Sequence, residues 1–238
     1  TYRIATPTQR HEEFLEKYLI WEFFDFAREG FFVEVGAFHS FQYSQTWFLE
    51  QMGWKGILIE PHPDQAQELR ANRPGSIVHQ VAISSPDKTG RAPFFVNSDF
   101  SSLSPNVMDN TRGYEGEITV DVTTLDELLE REGNPSVDFM SIDVEGTELD
   151  CLKGFSIGKH RPGLIITEDV VLTLDLHRYL RSREYRLLRR IQWENWYVPR
   201  ESRRRPSFVE RLRLFRKMYL GTVLRSWKFK RERSRLGR

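Results

Sequence analysis

The chain has 238 residues, of which 39% are hydrophobic and 13% aromatic, which fits one α/β domain with additional segments. Its single cysteine, Cys151, excludes an intrachain disulfide and a cysteine-based zinc site, so we expect a protein of the cytoplasm. No apolar run of membrane-spanning length occurs, and the net charge of +1 excludes a strong overall attraction to nucleic acid.

The charges are distributed unevenly along the chain. From Arg200 to Arg238 there are 15 Lys and Arg residues against 3 Asp and Glu residues. Residues 1–199 carry 20 basic and 31 acidic residues, so an acidic body precedes a basic tail. We therefore predict a main domain over residues 1–199 and a basic helical extension over residues 200–238.

The first elements are an aromatic helix and a short buried strand. Apolar residues recur at helical spacing over residues 12–28, which predicts a helix that covers a sheet edge or shapes a substrate pocket. Phe31–Val35 is an apolar run with aromatic and β-branched residues, which predicts a buried strand. Gly36 follows and allows a sharp turn close to a ligand.

Helices and strands then alternate. The pattern predicts helices over residues 44–52 and 64–72 and strands over residues 57–59 and 76–80. Such alternation predicts a parallel sheet with crossover helices, and such sheets bind ligands beyond the carboxyl ends of their strands. Gly36, Glu60 and Ala82 fall at those ends.

The second half of the chain begins with a weak pattern over residues 84–116. It contains one predicted strand over residues 92–96, followed by a polar loop over residues 97–105 that we expect either over the site or as a plain surface loop. Further on, the pattern predicts strands over 118–123, 137–142 and 164–167, helices over 125–132, 148–153 and 174–183, and an antiparallel pair over 185–191 and 196–199. The predicted fold is α/β, with a mostly parallel sheet, helices on both faces and an antiparallel closing strand.

Carboxylates stand at the ends of three predicted strands. Glu60, Asp143 and Glu168 hold these positions, and Glu145 lies two residues beyond Asp143. Burying a carboxylate at a ligand-binding edge is costly without a partner, so these residues indicate a site. Glu60 lies 24 residues after Gly36, where an acid accepts hydrogen bonds from the ribose hydroxyls of a nucleotide-like ligand.

The loop after the first strand favours a cofactor without phosphates. A dinucleotide site requires G-x-G-x-x-G, whereas Gly36 is followed by Ala-Phe-His-Ser. Glu34 and Asp143 would repel a pyrophosphate but suit a sulfonium and an amino group. These residues favour S-adenosylmethionine, and a nicotinamide-dependent oxidoreductase remains the alternative.

Several sequence blocks in the same order carry a family resemblance. They are FVEVGAF, S-x-T-x-x-L-E from Ser44, GWKGILIEPHP, VAIS, TTLDELL and SIDVEGTELDCLKGF, and the resemblance runs from about residue 31 to residue 167. The set resembles the FkbM family of S-adenosylmethionine-dependent methyltransferases. This resemblance implies a class I, Rossmann-like methyltransferase sheet and O-methylation, often of a sugar hydroxyl in a glycan or a glycosylated metabolite.

The resemblance and the strand-end positions together assign the candidate residues. The predicted cofactor-binding residues are Glu34, Gly36, Ala37, Glu60, Pro61, Ala82 and Asp143. The predicted catalytic residues are Asp143, Glu145 and Glu168, and His39 and His177 are further candidates for the general base. Relatives often have Asp-Gly where this chain has His39-Ser40. No metal site is predicted, although Asp143, Glu168 or Asp169 could offer oxygen ligands to a divalent cation.

The basic tail predicts a partner of its own. Residues 206–235 combine apolar residues at near-helical spacing with Arg and Lys, which is typical of a helix that lies on an anionic membrane surface. Docking on the acidic body is an equal alternative, and a nucleic-acid arm is less favoured. A peripheral adaptor with a non-catalytic methyltransferase fold is the non-enzymatic alternative. The sequence predicts a small-molecule or glycan acceptor but indicates no oligomeric state.

Overall fold

A computed structural model describes residues 7–97, 100–105, 113–169 and 173–235. The strands in this part of the chain are β1 (Phe31–Val35), β2 (Lys55–Ile59), β3 (Ser76–His79), β4 (Ala82–Ile83), β5 (Gly90–Asn97), β6 (Tyr114–Thr123), β7 (Phe139–Ile142), β8 (Leu164–Glu168), β9 (Tyr185–Ile191) and β10 (Glu194–Pro199). The α-helices are α1 (Pro7–Phe23), α2 (Trp47–Gln51), α3 (Pro63–Asn72), α4 (Leu125–Arg131), α5 (Glu148–Lys153), α6 (Ile157–His160), α7 (Asp175–Ser182), α8 (Phe208–Phe215) and α9 (Gly221–Arg235).

A seven-stranded sheet forms the centre of the molecule. Its order is β3-β2-β1-β7-β8-β10-β9. The strands β3, β2, β1, β7 and β8 pair in parallel, and β10 lies antiparallel to both β8 and β9. The predicted α/β fold, with a mostly parallel sheet and an antiparallel strand near its edge, is confirmed.

The two faces of this sheet bury separate apolar clusters. Successive residues of a strand point to opposite faces, so Val33 packs with Leu128 of α4 and Leu180 of α7, whereas Phe32 packs with Leu69 of α3 on the other side. Helices therefore cover both faces, as predicted. This arrangement leaves the carboxyl ends of the parallel strands as the edge where loops meet.

The segment after β3 forms a second sheet, which the sequence did not predict. Its three strands lie in the order β4-β6-β5 and bury a small apolar cluster of their own. The predicted strands at 92–96 and 118–123 are parts of β5 and β6. Ala82 was expected just past a strand, but it begins β4 and pairs with Val122.

The first helix ends earlier than predicted. It stops at Phe23, and a turn with Asp25 and Phe26 in left-handed conformations follows. The indole N–H groups of Trp21 and Trp54 both donate to the Ala27 carbonyl oxygen at 2.9 Å. The turn is therefore held by tertiary contacts, which outweigh the helical pattern that continued to residue 28.

Other boundaries differ by a few residues. Helix α5 and strand β9 have the predicted bounds, and the four-residue α6 was missed because it is too short to show a period. Helix α2 begins at Trp47 instead of residue 44, because Ser44 Oγ accepts hydrogen bonds from the backbone N–H groups of Thr46 and Trp47.

The tail is helical and packs on the body along one narrow side. A π-helix over Arg216–Leu220 joins α8 to α9, and the buried side chains are Leu214, Met218 and Thr222. The Tyr219 hydroxyl lies 3.4 Å from His177 Nε2 and accepts a hydrogen bond from Arg181. No helix in the described part of the chain combines the length and the apolar character needed to cross a membrane. The division at residue 199 stays a prediction.

Gly36 brings the loops after β1 and β7 into close contact. Its φ is +80°, and an added Cβ would lie 1.7 Å from the Asp143 carbonyl oxygen. Asp143 N in turn donates to the Val35 carbonyl oxygen at 3.0 Å. The glycine was expected to make room for a ligand, but what it accommodates directly is the backbone of the neighbouring loop.

Replacing Gly36 with Ala should therefore lower the free energy of unfolding by more than backbone strain alone would. Gly133 is a matched control, because its φ is +79° and no atom lies within 4 Å of an added Cβ. Gly133→Ala should lower the free energy of unfolding by about 1 kcal/mol, the cost of a left-handed conformation. Gly36→Ala adds a clash with backbone and should cost about 4 kcal/mol or more, measured by urea denaturation. Equal costs would show that the β7 loop moves away freely.

Candidate functional site

A cavity of about 490 Å³ opens at the carboxyl ends of the parallel strands. The second sheet and the β9–β10 turn complete its walls. The cavity is lined by all nine residues that were predicted to bind the cofactor or to form the catalytic set: Glu34, Gly36, Ala37, Glu60, Pro61, Ala82, Asp143, Glu145 and Glu168. The structure thus brings together residues spread over 135 positions of the chain, from Glu34 to Glu168, while their individual roles stay predictions.

Glu60 is fixed by two backbone donors at the end of β2. The Phe38 N–H donates to one carboxylate oxygen at 2.9 Å and the His62 N–H to the other at 2.8 Å. Burial raises the pKa of Glu60 to about 7, against the lowering effect of these two hydrogen bonds. Each oxygen retains a second lone-pair position. The carboxylate is therefore oriented and can accept two further hydrogen bonds.

The carboxylate of Glu34 is engaged by the loop that follows β1. It accepts hydrogen bonds from Ser44 Oγ at 3.0 Å, from Gln45 N at 2.8 Å and from Thr46 Oγ1 at 2.5 Å. Because these bonds use both oxygens, Glu34 shapes the cavity wall by holding residues 44–46 in place.

A buried arginine supports the same loop from behind. Arg73 is fully buried, and its guanidinium pairs with Glu50 at 2.8 Å. It also donates to Ser44 Oγ at 3.1 Å, to Thr46 Oγ1 at 3.0 Å and to the Ser40 carbonyl oxygen at 3.3 Å. One cation thus connects the end of α3 to the loop that carries the partners of Glu34.

Asp143, Glu168 and Glu194 form an acidic end of the cavity. The β8–β10 register places Glu194 directly opposite Glu168, and carboxylate oxygens of Asp143 and Glu168 lie within 4.8 Å of each other. Burial, and next the negative charges of Glu168, Glu194 and Glu145, hold the pKa of Asp143 well above its ordinary range. Burial, and next Glu16 and Glu168, raise the pKa of Glu194 in the same way. Asp143 and Glu194 therefore hold their protons to a higher pH than ordinary carboxyl groups do.

The turn after β7 is strained and held from two sides. Glu145 has φ +54° and Gly146 φ +101°, an arrangement costly for a residue with a side chain. The Glu148 carboxylate reaches back and accepts from Gly146 N at 2.8 Å, and burial raises its pKa to about 7. Ser102 Oγ lies 3.0 Å from the carbonyl oxygens of Val144 and Glu145. This double hold fixes Asp143 and Glu145 at the cavity.

The polar loop after β5 lies over the cavity. Phe100, Ser101 and Leu103 line it, and Ser102 pairs with Phe95 through backbone hydrogen bonds. For residues 100–105, the prediction of a loop over the site is confirmed. Residues 98 and 99, which the prediction also covered, lie outside the described residues.

Several cavity residues were missed by the sequence reasoning. Glu194 joins the acidic cluster only through the antiparallel pairing of β10, and Gln45 hydrogen-bonds to it from the β1 loop. Trp193 and Tyr43, which are 50% and 55% exposed, lie at the wall as well. Glu194 could have been identified as a candidate because it is a carboxylate at the start of an amphipathic strand.

Neither histidine proposed as a base lines the cavity. His39 Nδ1 accepts the Phe41 N–H at 3.3 Å, and its ring faces Glu68. His177 is buried against Tyr197 and Tyr219, and burial lowers its pKa to about 4. Both are therefore removed from the candidate bases, and the departure at His39-Ser40 affects contacts between the loop and α3.

The same carboxylates could offer ligands to a cation. Oxygens of Asp143, Glu145 and Glu168 lie within 4.8 Å of one another. Asp169 is not part of this group. Acidic groups often cluster without an ion, so this geometry does not define a metal centre. That the site holds no metal stays a prediction.

The strand order and the acidic cavity define a class of protein. Counted within the large sheet alone, the order is 3-2-1-4-5-7-6 with the seventh strand antiparallel, the arrangement of class I methyltransferases. The family model described as the methyltransferase FkbM domain matches residues 33–187. The chain belongs to this FkbM family. The predicted family, the enzyme class of S-adenosylmethionine-dependent methyltransferase and the cofactor are thereby confirmed.

Solved structures resemble the chain weakly. The N-terminal domain of human METTL16 with S-adenosyl-homocysteine is 13% identical, with a TM-score of 0.44 and coverage of 83% of this chain and 71% of that chain. An O-methyltransferase from Bacillus cereus with the same ligand is 16% identical, with a TM-score of 0.43 and coverage of 83% and 82%. The TrmK structure from M. capricolum with that ligand is 9% identical, with a TM-score of 0.42 and coverage of 82% and 68%. Comparison with curated proteins gives no match. The assignment therefore rests on the family match.

Removing the Arg73 guanidinium should destabilise the protein strongly. Arg73→Met leaves Glu50 buried without its cation and takes donors from Ser44 and Thr46, at a cost of about 3 to 5 kcal/mol. Arg70→Met on the exposed side of the same helix is the control and should change the free energy of unfolding by less than about 0.5 kcal/mol. Chemical denaturation of both variants measures the difference. A cost for Arg73→Met as small as that of the control would exclude a supporting role.

Proposed function

We propose that the protein methylates a hydroxyl group of a sugar, carried by a glycan or a glycosylated metabolite. The observation that carries this proposal is the combination, in one cavity, of a carboxylate cluster with exposed aromatic side chains. Carboxylates accept hydrogen bonds from hydroxyls, and aromatic rings pack on the apolar faces of sugar rings. Tyr43, Phe100 and Trp193, which are 55%, 44% and 50% exposed, provide the rings.

The donor set fits S-adenosylmethionine. In our assignment, the free lone pairs of Glu60 would accept the two ribose hydroxyls, and Pro61 and Ala82 would hold the adenine. Asp143 Oδ1 is buried without a hydrogen-bond partner, which suits the amino group of the methionine part. When bound, the cofactor supplies a methyl group on a positively charged sulfur. Gly36 and Ala37, which line the cavity, would form part of its binding wall.

The chain's own contribution is to orient the acceptor and to take up its proton. The acceptor hydroxyl would donate to a carboxylate of the Asp143–Glu168 pair, which directs its oxygen lone pair towards the methyl group. That carboxylate would take up the hydroxyl proton as the acceptor oxygen receives the methyl group. Glu145, held by the strained turn, lies within reach of the same pair. A positive charge nearby favours ionisation of these acids, so the base would be ready once the cofactor is in place.

Cofactor binding should depend on the ionisation of Glu60. With a pKa of about 7, the carboxylate is mostly protonated at about pH 6 and mostly ionised at about pH 8. Only the ionised form accepts two hydroxyl donors freely, so affinity should rise with pH. The ratio of wild-type affinity to Glu60→Gln affinity should grow roughly tenfold over this range, measured by calorimetric titration.

The ratio of the two affinities reports on Glu60 alone, because the other acids of the cavity are present in both the wild type and the Glu60→Gln variant. Asp64→Asn, an exposed carboxylate four residues further on, is the control and should follow the wild type. A ratio that stays constant with pH would show that Glu60 does not bind the ribose as an anion.

Label transfer from a radioactive methyl donor tests the acceptor. Extracts of glycans and glycosylated metabolites should yield label that resists mild base and acid hydrolysis and that remains on a monosaccharide, as a methyl ether does. Asp143→Asn should lower turnover on the order of 10²-fold, while Asp121→Asn on the exposed surface should leave it unchanged.

The same experiment separates the alternatives. Label released by mild base would indicate a carboxyl acceptor, and label in a basic fraction would indicate an amine, so either result would overturn the sugar hydroxyl. Donor binding without transfer to any fraction would favour the non-catalytic adaptor. Full activity of Asp143→Asn would exclude this residue from the reaction.

A further inference from the structure

The tail presents a row of apolar side chains to solvent. We define the tail face as those side chains of α8, the π-helix and α9 that are between 55% and 73% exposed: Phe208, Val209, Leu212, Phe215, Leu220, Val223, Leu224 and Trp227. Scattered apolar residues on a surface are ordinary, but a contiguous row on one helical segment marks an interaction site. The face therefore needs an occupant.

The body of the protein is not that occupant. The tail already packs on it through Leu214, Met218 and Thr222, which recur every four residues and form a narrow buried side. The exposed residues lie elsewhere around the same helices. Packing on the acidic body, the alternative equally favoured by the sequence, thus accounts for one side of the tail and leaves the tail face uncovered.

Charge selects among the remaining partners. Exposed basic side chains accompany the tail face, among them Arg211, Arg216 and Lys217, and the Arg231 guanidinium stacks over the Trp227 ring at 5.2 Å. Two tails placed face to face would bring like charges together, which disfavours a second copy of the chain. A nucleic acid would satisfy the cations but would leave eight apolar side chains without an apolar partner.

We propose that the tail face docks on an anionic lipid bilayer. The apolar side chains would enter the boundary between headgroups and acyl chains, and the arginines and lysines would bind lipid phosphates. The exposed apolar residues of this helical segment match the acyl chains of such a surface, and its exposed basic residues match the anionic headgroups. The proposal does not depend on the methyl acceptor.

The tail also lies beside the acidic end of the cavity. Asp169, the residue after Glu168, attracts the Arg225 guanidinium of α9. The Asp169 carbonyl oxygen accepts a hydrogen bond from the Arg190 guanidinium at 2.8 Å. The backbone N–H of Asp169 donates to the carbonyl oxygen of Trp193, a residue of the cavity wall. Docking of the tail would therefore hold this wall near the lipid headgroups, where a membrane-presented acceptor is accessible.

Vesicle co-sedimentation of the full chain tests the proposal. Wild-type protein should bind vesicles that contain phosphatidylglycerol, should not bind vesicles of phosphatidylcholine alone, and should bind more weakly at high salt. Phe215→Ser/Trp227→Ser should reduce the partition coefficient on the order of tenfold or more, because two large apolar groups no longer enter the interface. Arg211→Gln/Arg216→Gln should reduce it on the order of tenfold by removing two cations.

The matched control changes two exposed apolar residues outside the tail. Ile77→Ser/Tyr114→Ser, which replaces side chains that are 46% and 41% exposed, should retain wild-type vesicle binding. Circular dichroism establishes that each variant is folded. Absence of binding to anionic vesicles, equal binding to neutral ones, or equal losses in the control and tail variants would each overturn the proposal. A dimer abolished by Phe215→Ser/Trp227→Ser without vesicle binding would assign the tail face to a second copy instead.

Discussion

The buried Arg73–Glu50 pair is the interaction on which the geometry of the cavity depends. An ion pair without access to water is expensive unless its remaining donors are satisfied, and Arg73 meets this condition through Ser40, Ser44 and Thr46. All three acceptors belong to the loop after β1. The pair therefore sets the conformation of a segment that has little apolar surface of its own to bury, and the segment in turn shapes one wall of the cavity.

The positions of Glu34, Glu60 and Asp143 were predictable because buried strands have a recognisable sequence pattern. Short apolar runs are conspicuous, and a carboxylate at their carboxyl end is conspicuous against them. Parallel pairing then brings these ends together, whatever their separation in the chain. The prediction succeeded where one local pattern and one topological rule were sufficient.

Arg73 and Glu194 show what such patterns miss. Arg73 follows a helix and looks like any basic residue near a C-terminus, since nothing local indicates that it is buried. Glu194 belongs to the acidic cluster because β10 lies between β8 and β9 in the sheet. This pairing is long-range, and the spacing of residues in the sequence does not indicate it. The early end of α1 has the same origin, because contacts of Trp21 and Trp54 with Ala27 decide where the helix stops.

The charge of the cavity links occupancy to protonation. Seven carboxylates and the Lys17 ammonium group line it within the described residues, so the acids repel one another when they are ionised. Burial is the main cause of the raised pKa values of Glu60, Asp143 and Glu194, and neighbouring carboxylates add to it for Asp143 and Glu194. Protons held by these acids neutralise part of the charge of the cavity. Entry of a positively charged ligand supplies the same neutralisation, so the acids release protons as it binds. Under the proposed function, an acid that is ionised in this way is the group that takes up the proton of the acceptor hydroxyl.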